Sequence, residues 1–478
     1  MSYSPPVYIC DHNINIFRRY DASIPIFVII SKVIMNDALS NFLTQHRIRE
    51  VECVIPDMTG IARGKILPRD LFTASGEMRI PKSVLLNTVN GQQPDNGPFV
   101  GDTDPDMVCK PDAATVRIVP WAAEPVAVVI HDCLEWDDQP VQISPRAVLR
   151  RVLALYEARG WQPIVAPEME FYLVARNQNP HEPLQPPLGR TGKPEVGRQS
   201  YSIDAVNDFD PFFMELSAFC DQHQLGVETL IHEAGPGQME INFSHGEPLD
   251  LADRVFLFKR TVRETALRHG VFATFMAKPM EGEPGSAMHI HQSINDGEGR
   301  NIFSHTDGTA SEHFHHFIGG LQTYIPQVMP MLAPYVNSYR RLAPYMSAPI
   351  NVRWGQDNRT CGIRVPKSGP GARRVENRVP GVDANPYLAM AATLACGYIG
   401  MRDRLHPSEP TDGSAWNVAH ELPRHLEIAI EAMRACDAMK EVLGETFVDA
   451  FCAVKELEFS TYNRVISSWE REHLLLLV

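Results

Sequence analysis

The stretch Ala166-Pro-Glu-Met-Glu-Phe-Tyr-Leu173 carries two carboxylates, Glu168 and Glu170, alternating with apolar Met169 and Phe171. Such alternation predicts a β-strand, and side chains at i and i+2 of a strand leave the same face, so the two carboxylates point together. Two like charges side by side on an apolar strand are costly unless that face is open to water or a cation lies between them. Taken alone, a Glu-x-Glu pair is most often a solvated edge. Three further segments have the same character. Glu233 and Glu240 flank the Gly/Pro turn of His232-Glu-Ala-Gly-Pro-Gly-Gln238, and His289 and His291 share a face of Met288-His-Ile-His-Gln-Ser293. Arg374, Glu376 and Arg378 alternate with Val375 and Asn377. Polar faces recurring on apolar strands imply a shared polar interior, as on the concave side of a curved sheet or open barrel.

The donor types narrow the chemistry. Glu168, Glu170, Glu233, Glu240 and Glu376 with His289 make an oxygen-dominated set, which suits Mg²⁺ or Mn²⁺ rather than structural Zn²⁺. Arg341, Arg359, Arg364, Arg374 and Arg378 add guanidinium groups that bind phosphate and carboxylate oxygens bidentately. Divalent cations and arginines around an anionic ligand are the recurring equipment of phosphoryl transfer. No Gly-x-x-x-x-Gly-Lys-Ser/Thr occurs and no Gly-x-Gly-x-x-Gly follows a strand, so the phosphates must be held in another way.

Several elements must position these groups. Alternation predicts strands over 51–55 and 61–66 joined by turn residues, then strands over 116–119 and 126–130, together a small β-rich domain over 35–140. Within it, 87–112 is rich in Gly, Pro, Asn and Asp and predicts a long loop bearing Asp95, Asp102, Asp104, Asp106 and Asp112. A larger domain over 141–478 follows, opening with a helix over 145–159 whose apolar residues recur at helical spacing. After the carboxylate strand come a Pro/Gly-rich loop over 172–200, helices over 212–223, 250–269 and 311–332, and strands over 226–231, 239–243, 272–276 and 288–293. From 385 onward the chain reads mostly as helices.

Composition excludes some partners. The chain has 478 residues, 44% hydrophobic and 21% charged, an ordinary globular balance for two domains or one large α/β unit. A net charge of −14 argues against nucleic acid or an anionic membrane as a partner. Nine scattered cysteines without a Cys-x-x-Cys pair suit reduced thiols in the cytoplasm. The apolar run 24–30 is too short to span a bilayer and lacks a small-residue cleavage site. Either Met35 is therefore expected to be the natural start, or residues 1–34 are expected to be a loosely held extension.

With these motifs in view, the chain from about Asp37 to its C-terminal region resembles the type I glutamine synthetase family. The segments that carry the likeness appear in family order: Asp57-Met-Thr-Gly-Ile-Ala-Arg-Gly-Lys65, Glu168-Met-Glu170, His232 to Glu240, Gly285-Ser-Ala-Met-His-Ile-His291, Asn337-Ser-Tyr-Arg-Arg341, Asn358 to Pro366, and Arg373 to Arg378. The resemblance implies an α+β fold with a small β-grasp N-terminal domain. It also implies a catalytic domain built on a curved antiparallel sheet, an open funnel, backed by helices. ATP and two or three Mg²⁺ or Mn²⁺ ions are the implied cofactors. A homododecamer of two hexameric rings is implied too, each active site being completed by a neighbouring subunit. Residue by residue, Glu170, Glu233 and Glu240 match the first metal site, and Glu168, His289 and Glu376 the second. Arg341 and Arg378 match the arginines that hold glutamate, while Arg359, Arg364 and Arg374 match nucleotide phosphate contacts. His291 and Ser293 fall in the nucleotide-binding strand.

The departures from the family lie on the amine side. Where ammonia-using members carry an Asp and a Ser, this chain has Asn90 and Gln93, and the flap glutamate falls at Ser347. Both acids that would attract and deprotonate ammonium are thus absent, which predicts a larger amine. Pro284 also replaces an amide that helps hold glutamate in the family. The chain further resembles γ-glutamylputrescine synthetases, notably in Ala273-Thr-Phe-Met-Ala-Lys-Pro279 and Asp383-Ala-Asn-Pro-Tyr-Leu388. The expected reaction joins the γ-carboxylate of L-glutamate to putrescine, spermidine or a related polyamine, whose distal ammonium would find the Asp-rich loop at 95–106. Alternatives are a monoamine such as ethanolamine or an alkylamine, ammonia itself, and an inactive regulatory member of the family.

Overall fold

A computed structural model describes residues 37–478, so the expectation for 1–34 lies outside the described residues. Alternating burial along β1 (Glu50–Pro56) turns Val51, Cys53 and Ile55 inward, and its hairpin partner β2 (Ala62–Pro68) pairs with it antiparallel. The turn between them hangs on Asp57. Its buried carboxylate accepts from the Thr59 and Ile61 amides at 2.9 Å each and pairs with Arg63 Nε at 2.8 Å. The motif around Asp57 is therefore turn chemistry. Asn385 Nδ2 donates to the Asp57 carbonyl at 2.9 Å, which ties the hairpin to the start of the Pro386–Asp403 helix.

Strands β3 (Met78–Pro81), β4 (Asp106–Pro111), β5 (Arg117–Ile118) and β6 (Val126–Leu134) complete a six-stranded sheet in the order β2-β1-β6-β4-β3, with β5 on β6. It is mixed, because β1 and β6 run parallel at its centre. The expected loop over 87–112 is shorter than predicted. A turn of helix at Gly97–Val100 and β4 occupy it, since Met107, Val108 and Cys109 have a core to fill.

The second sheet has eight strands: β7 (Gln162–Ala175), β8 (Val227–His232), β9 (Gln238–Phe243), β10 (Val271–Thr274), β11 (Met288–Asn295), β12 (Trp354–Gln356), β13 (Ile363–Val365) and β14 (Val375–Asn377). Its order is β12-β13-β14-β11-β7-β9-β8, with β10 also on β7. Pairing is antiparallel except for β12 and β13. The sheet is curved and nearly barrel-like, with helices behind it, and together the two sheets give the expected α+β class. β7 is the longest strand and outruns its predicted end, because its apolar positions continue through Phe171, Leu173 and Val174. The Pro386–Asp403 helix is buried almost throughout, as its uniformly apolar sequence requires.

One buried cation joins the two sheet regions. Arg146, on the Pro145–Glu157 helix and 1% exposed, binds Asp112 at 2.7 Å and Asp132 from the first region. It also binds Asp253 at 2.8 Å on the Pro248–Arg268 helix. Residues 35–478 accordingly form one compact unit.

Candidate active site

Register brings the polar strand faces into one place. Glu168 on β7 lies opposite His289 on β11 and Asn242 on β9, while Glu170 lies opposite Glu240. On the other flank, Glu376 of β14 is opposite both His291 and Arg364. Directly opposed residues share a face of the sheet, so these groups converge. Donor atoms of Glu168, His289 and Glu376 all lie within 4.8 Å of one another, and so do those of Glu170, Glu240 and His289. His289 stands between the two triads.

β8 ends at His232, so Glu233 stands on the turn just past the ladder, and its charge acts on both Glu170 and Glu240. That turn is conformationally demanding. Gly237 adopts φ +73°, and a Cβ there would come 2.7 Å from the Leu173 carbonyl. Gln238 then packs its amide nitrogen against Glu170 Oε2 at 3.3 Å and the Gly285 carbonyl at 3.1 Å.

Protonation separates the carboxylates. Burial, then the charges of Glu170 and Glu168, pushes Glu240 up to about 9. Burial and Glu233 push Glu170 up to about 8, and burial also raises Glu233, against the pull of Arg359 and Arg378. Burial acts on Glu168 and Glu376 as well, but there it is overcome. Hydrogen bonds from His289 at 3.1 Å and His291 at 2.9 Å hold Glu168 well below the carboxylate range. Glu376 falls to about 2 beside Arg378. His289 is lowered to about 4 by burial and by Arg378, so at neutral pH Glu168 is stabilised by hydrogen bonding to a neutral ring rather than by an ion pair. Buried carboxyls that must otherwise keep a proton, next to a neutral imidazole, fit hard divalent cations.

Arginines surround this cluster. Arg364 reaches Glu376 at 2.7 Å and Asp357 at 3.0 Å, and Arg378 reaches Glu376 at 2.6 Å. The buried Nε atoms of Arg364 and Arg378 have no protein partner, which leaves donors for a ligand. Arg359 is exposed and faces Glu233 electrostatically. Arg341 is 2% exposed, its terminal nitrogens donate to the carbonyls of Val379 at 2.8 Å and Arg378 at 3.0 Å, and its charge acts on Glu170. Burial lowers Arg341 to about 10, so it stays cationic at neutral pH.

Beside the cluster lies a cavity of about 440 Å³ lined by Glu168, Asn242, His291, Ser293, Gly371 and Arg374. Arg374 Nε donates to His291 Nδ1 at 3.2 Å, which forces the ring proton onto Nε2, where it meets Glu168. Arg374, His291 and Ser293 are thus brought together at the mouth of the metal-type cluster.

The amine-side residues are not. Asn90 accepts from Thr88 Oγ1 at 2.6 Å, and Gln93 donates to Ser83 and Asn87. Their loop touches Glu458 and Thr461 of the Glu445–Asn463 helix rather than the cluster. Ser347 is exposed at φ +67°. Asp104 is occupied by the amide and hydroxyl of Ser83, which removes it from the acids expected to hold a distal ammonium.

Pattern reading missed the dyad of His232 and Glu195. Both nitrogens of buried His232 face acceptors, the Glu233 carbonyl at 2.7 Å and Glu195 Oε2 at 3.1 Å, an arrangement that favours the protonated ring. Burial lowers His232, but these bonds more than offset it. Glu195 also accepts from the Gly237 amide at 2.7 Å and so braces the turn that bears Glu233. Its place in an unpatterned Pro/Gly loop left no signal.

Carboxylate, phosphate and divalent cation can meet on this face, as an ATP-dependent ligase requires. This chain is such a ligase, joining glutamate to an amine. It belongs to the glutamine synthetase family: residues 142–474 match the glutamine synthetase catalytic domain. It is 33% identical over 434 residues to the γ-glutamylputrescine synthetase PuuA of Escherichia coli, covering 89% of this chain and 91% of that protein. It is 31% identical over 442 residues to a glutamate–isopropylamine ligase of a Pseudomonas species, covering 90% and 95%. Glutamine synthetases proper are among the further matches. The solved structure of a GmaS/ADP complex superposes with a TM-score of 0.78 at 26% identity, covering 91% of this chain and 99% of that one.

Proposed function

We propose that this enzyme forms the γ-glutamyl amide of a diamine or polyamine such as putrescine or spermidine. The observation that carries the reading is the absence of a carboxylate at Asn90 and Ser347, with Gln93 at the serine position. The similarity to a γ-glutamylputrescine synthetase supports it. The γ-carboxylate of glutamate attacks the γ-phosphate of ATP, giving γ-glutamyl phosphate and ADP. The neutral amine then displaces phosphate and loses a proton, leaving the amide.

Glu170, Glu233 and Glu240 on one side and Glu168, His289 and Glu376 on the other would hold two or three Mg²⁺ or Mn²⁺ ions. When bound, such ions screen the repulsion between the two anions and offset charge on the transferring phosphoryl group. Arg364, Arg374, His291 and Ser293 hold the nucleotide in the adjoining cavity. Arg378 and Arg359 take the glutamate carboxylate and the phosphoryl oxygens. Arg341 acts from below, fixing the backbone at Arg378 and Val379 and adding positive field. Because the loop that bears Asn90 and Gln93 is tied through Val89 and Gln92 to the Glu445–Asn463 helix of its own chain rather than to the cluster, we assign the amine pocket to a boundary between subunits in a dodecamer of two hexameric rings. Asp95, Asp102 and Asp106 remain available there for a distal ammonium. The setting we propose is the cytoplasm, with the described cysteines all free thiols.

A second reading, a monoamine ligase, is favoured by the similarity to a glutamate–isopropylamine ligase. Phosphate release from ATP and glutamate, screened across ammonium, ethanolamine, isopropylamine, putrescine, cadaverine, spermidine and spermine, separates the readings. We expect kcat/KM for a diamine or polyamine to exceed that for ammonium by roughly 100-fold, about 2.7 kcal/mol of discrimination. Faster turnover of monoamines selects the second reading. Turnover with ammonium alone sinks the amine-pocket argument, and nucleotide binding without turnover selects an inactive regulatory role.

A further inference from the structure

A different set of ligand-type side chains lies away from the sheets, where the Glu312–Tyr324 helix meets the segment leaving the Pro386–Asp403 helix. Donor atoms of Glu312, His316 and His406 lie within 4.8 Å of one another. None of the three takes part in the active site. Their backbone positions are set by close packing. A Cβ on Gly400 would lie 2.2 Å from the His316 carbonyl, one on Gly320 would lie 2.7 Å from Gly400 Cα, and one on Gly319 would lie 2.4 Å from the Leu405 carbonyl. Only glycine permits this approach. Just beyond the contact, Arg404 takes φ +56° and the Leu405 amide closes on the Gly400 carbonyl at 3.0 Å, so His406 is delivered from an anchored exit. The rings of His316 and His406 are 5.0 Å apart and inclined at 72°. Glu312, one helical turn before His316, brings its Oε2 to 3.7 Å from His316 Nε2.

A surface Glu–His pair at i and i+4 would be an ordinary ion pair if the imidazole were charged. At 3.7 Å from Glu312 Oε2, His316 Nε2 is beyond hydrogen-bond distance and is not committed to the carboxylate. His313 and Arg404 also face His316 and make the spot unattractive to an ion held by charge alone. Two imidazole nitrogens and one carboxylate oxygen are the ligand set of open zinc sites, in contrast with the oxygen-rich set on the sheet. His316 is buried while Glu312 and His406 are exposed, so the outer two can rotate inward to the roughly 3.3 Å donor spacing that tetrahedral Zn–N and Zn–O bonds impose.

We propose that Glu312, His316 and His406 form a three-ligand site for Zn²⁺, with its fourth position open to water, that clamps the end of the Pro386–Asp403 helix to the Glu312–Tyr324 helix. The test uses the full-length enzyme, stripped with a chelator, loaded with excess Mg²⁺ to occupy the sheet, and titrated with Zn²⁺ or Co²⁺. We expect about one Zn²⁺ per chain to survive dialysis and Co²⁺ to give visible absorption of tetrahedral type. His406→Ala should lose both signals, and Glu312→Gln should weaken binding by more than the roughly 10–100-fold that outer-shell losses cost. Both residues are exposed, so both variants should keep their fold and Mg²⁺-dependent ligase activity. Equal Zn²⁺ retention by the wild type and His406→Ala, or no Zn²⁺ retained in the presence of Mg²⁺, overturns the proposal.

Discussion

Glu170→Gln is expected to lower ligase turnover by roughly 10³-fold or more, corresponding to about 4 kcal/mol of lost transition-state stabilisation, while making the metal-free protein harder to melt. The same carboxyl explains both effects. As a ligand it must ionise, and the amide cannot replace that charge. Without a cation its burial holds its pKa near 8, well above the unfolded carboxyl. Between the two values the native state binds more protons than the unfolded state, so stability falls as pH rises. The glutamine removes this cost. Its advantage over the wild type should grow from about pH 4.5 to about pH 8 and then level off. Melting curves with and without Mg²⁺ at several pH values, beside a phosphate-release assay, measure both halves. An active Glu170→Gln enzyme would sink the metal assignment.

The second large effect has the opposite sign with pH. Glu376 is 0% exposed and is shared by Arg364 and Arg378. Replacing it with alanine leaves Arg378 without its carboxylate partner and Arg364 with Asp357 alone, at a cost of about 3–5 kcal/mol. Its carboxyl is held at about 2, so its contribution is fully present above the ordinary carboxylate range and is lost as pH falls toward that value. Glu376→Ala should therefore melt well below the wild type at pH 7 and close to it at the acid limit of folding. Equal melting at pH 7 would show that the two arginines find other partners.

The site was legible where it rests on strand periodicity. Glu168, Glu170, His289, His291 and Glu376 lie on ladders, and a period of two together with an apolar alternate face is enough to place them on one side of a sheet. Groups held by turns were less legible. Glu233 stands one residue past the end of β8, where direction depends on a left-handed glycine at 237 and on Glu195 bonded to that glycine's amide. No spacing rule encodes that bond. Arg341 was recognisable as an arginine in a motif, but its burial under Val379 follows from Gly285, where a Cβ would come 2.6 Å from the Arg341 side chain. In the 87–112 stretch composition suggested a loop, and the apolar run from Met107 to Cys109 pulled its second half into a strand.

The chain of contacts from Arg374 through His291 to Glu168 has a consequence for the order of events. A phosphate that draws Arg374 away frees the Nδ1 lone pair and loosens the constraint on which nitrogen carries the proton that Glu168 meets. Couplings between bound species are reciprocal, so a cation held on the sheet and a nucleotide held in the cavity, as proposed, would alter each other's affinity by the same factor. Calorimetric titration of ATP with and without the metal should register that factor. In His291→Phe, which keeps a ring but carries neither nitrogen, it should shrink toward one. The histidine strand would then act as a switchboard between the two ligands, its traffic carried by a single proton.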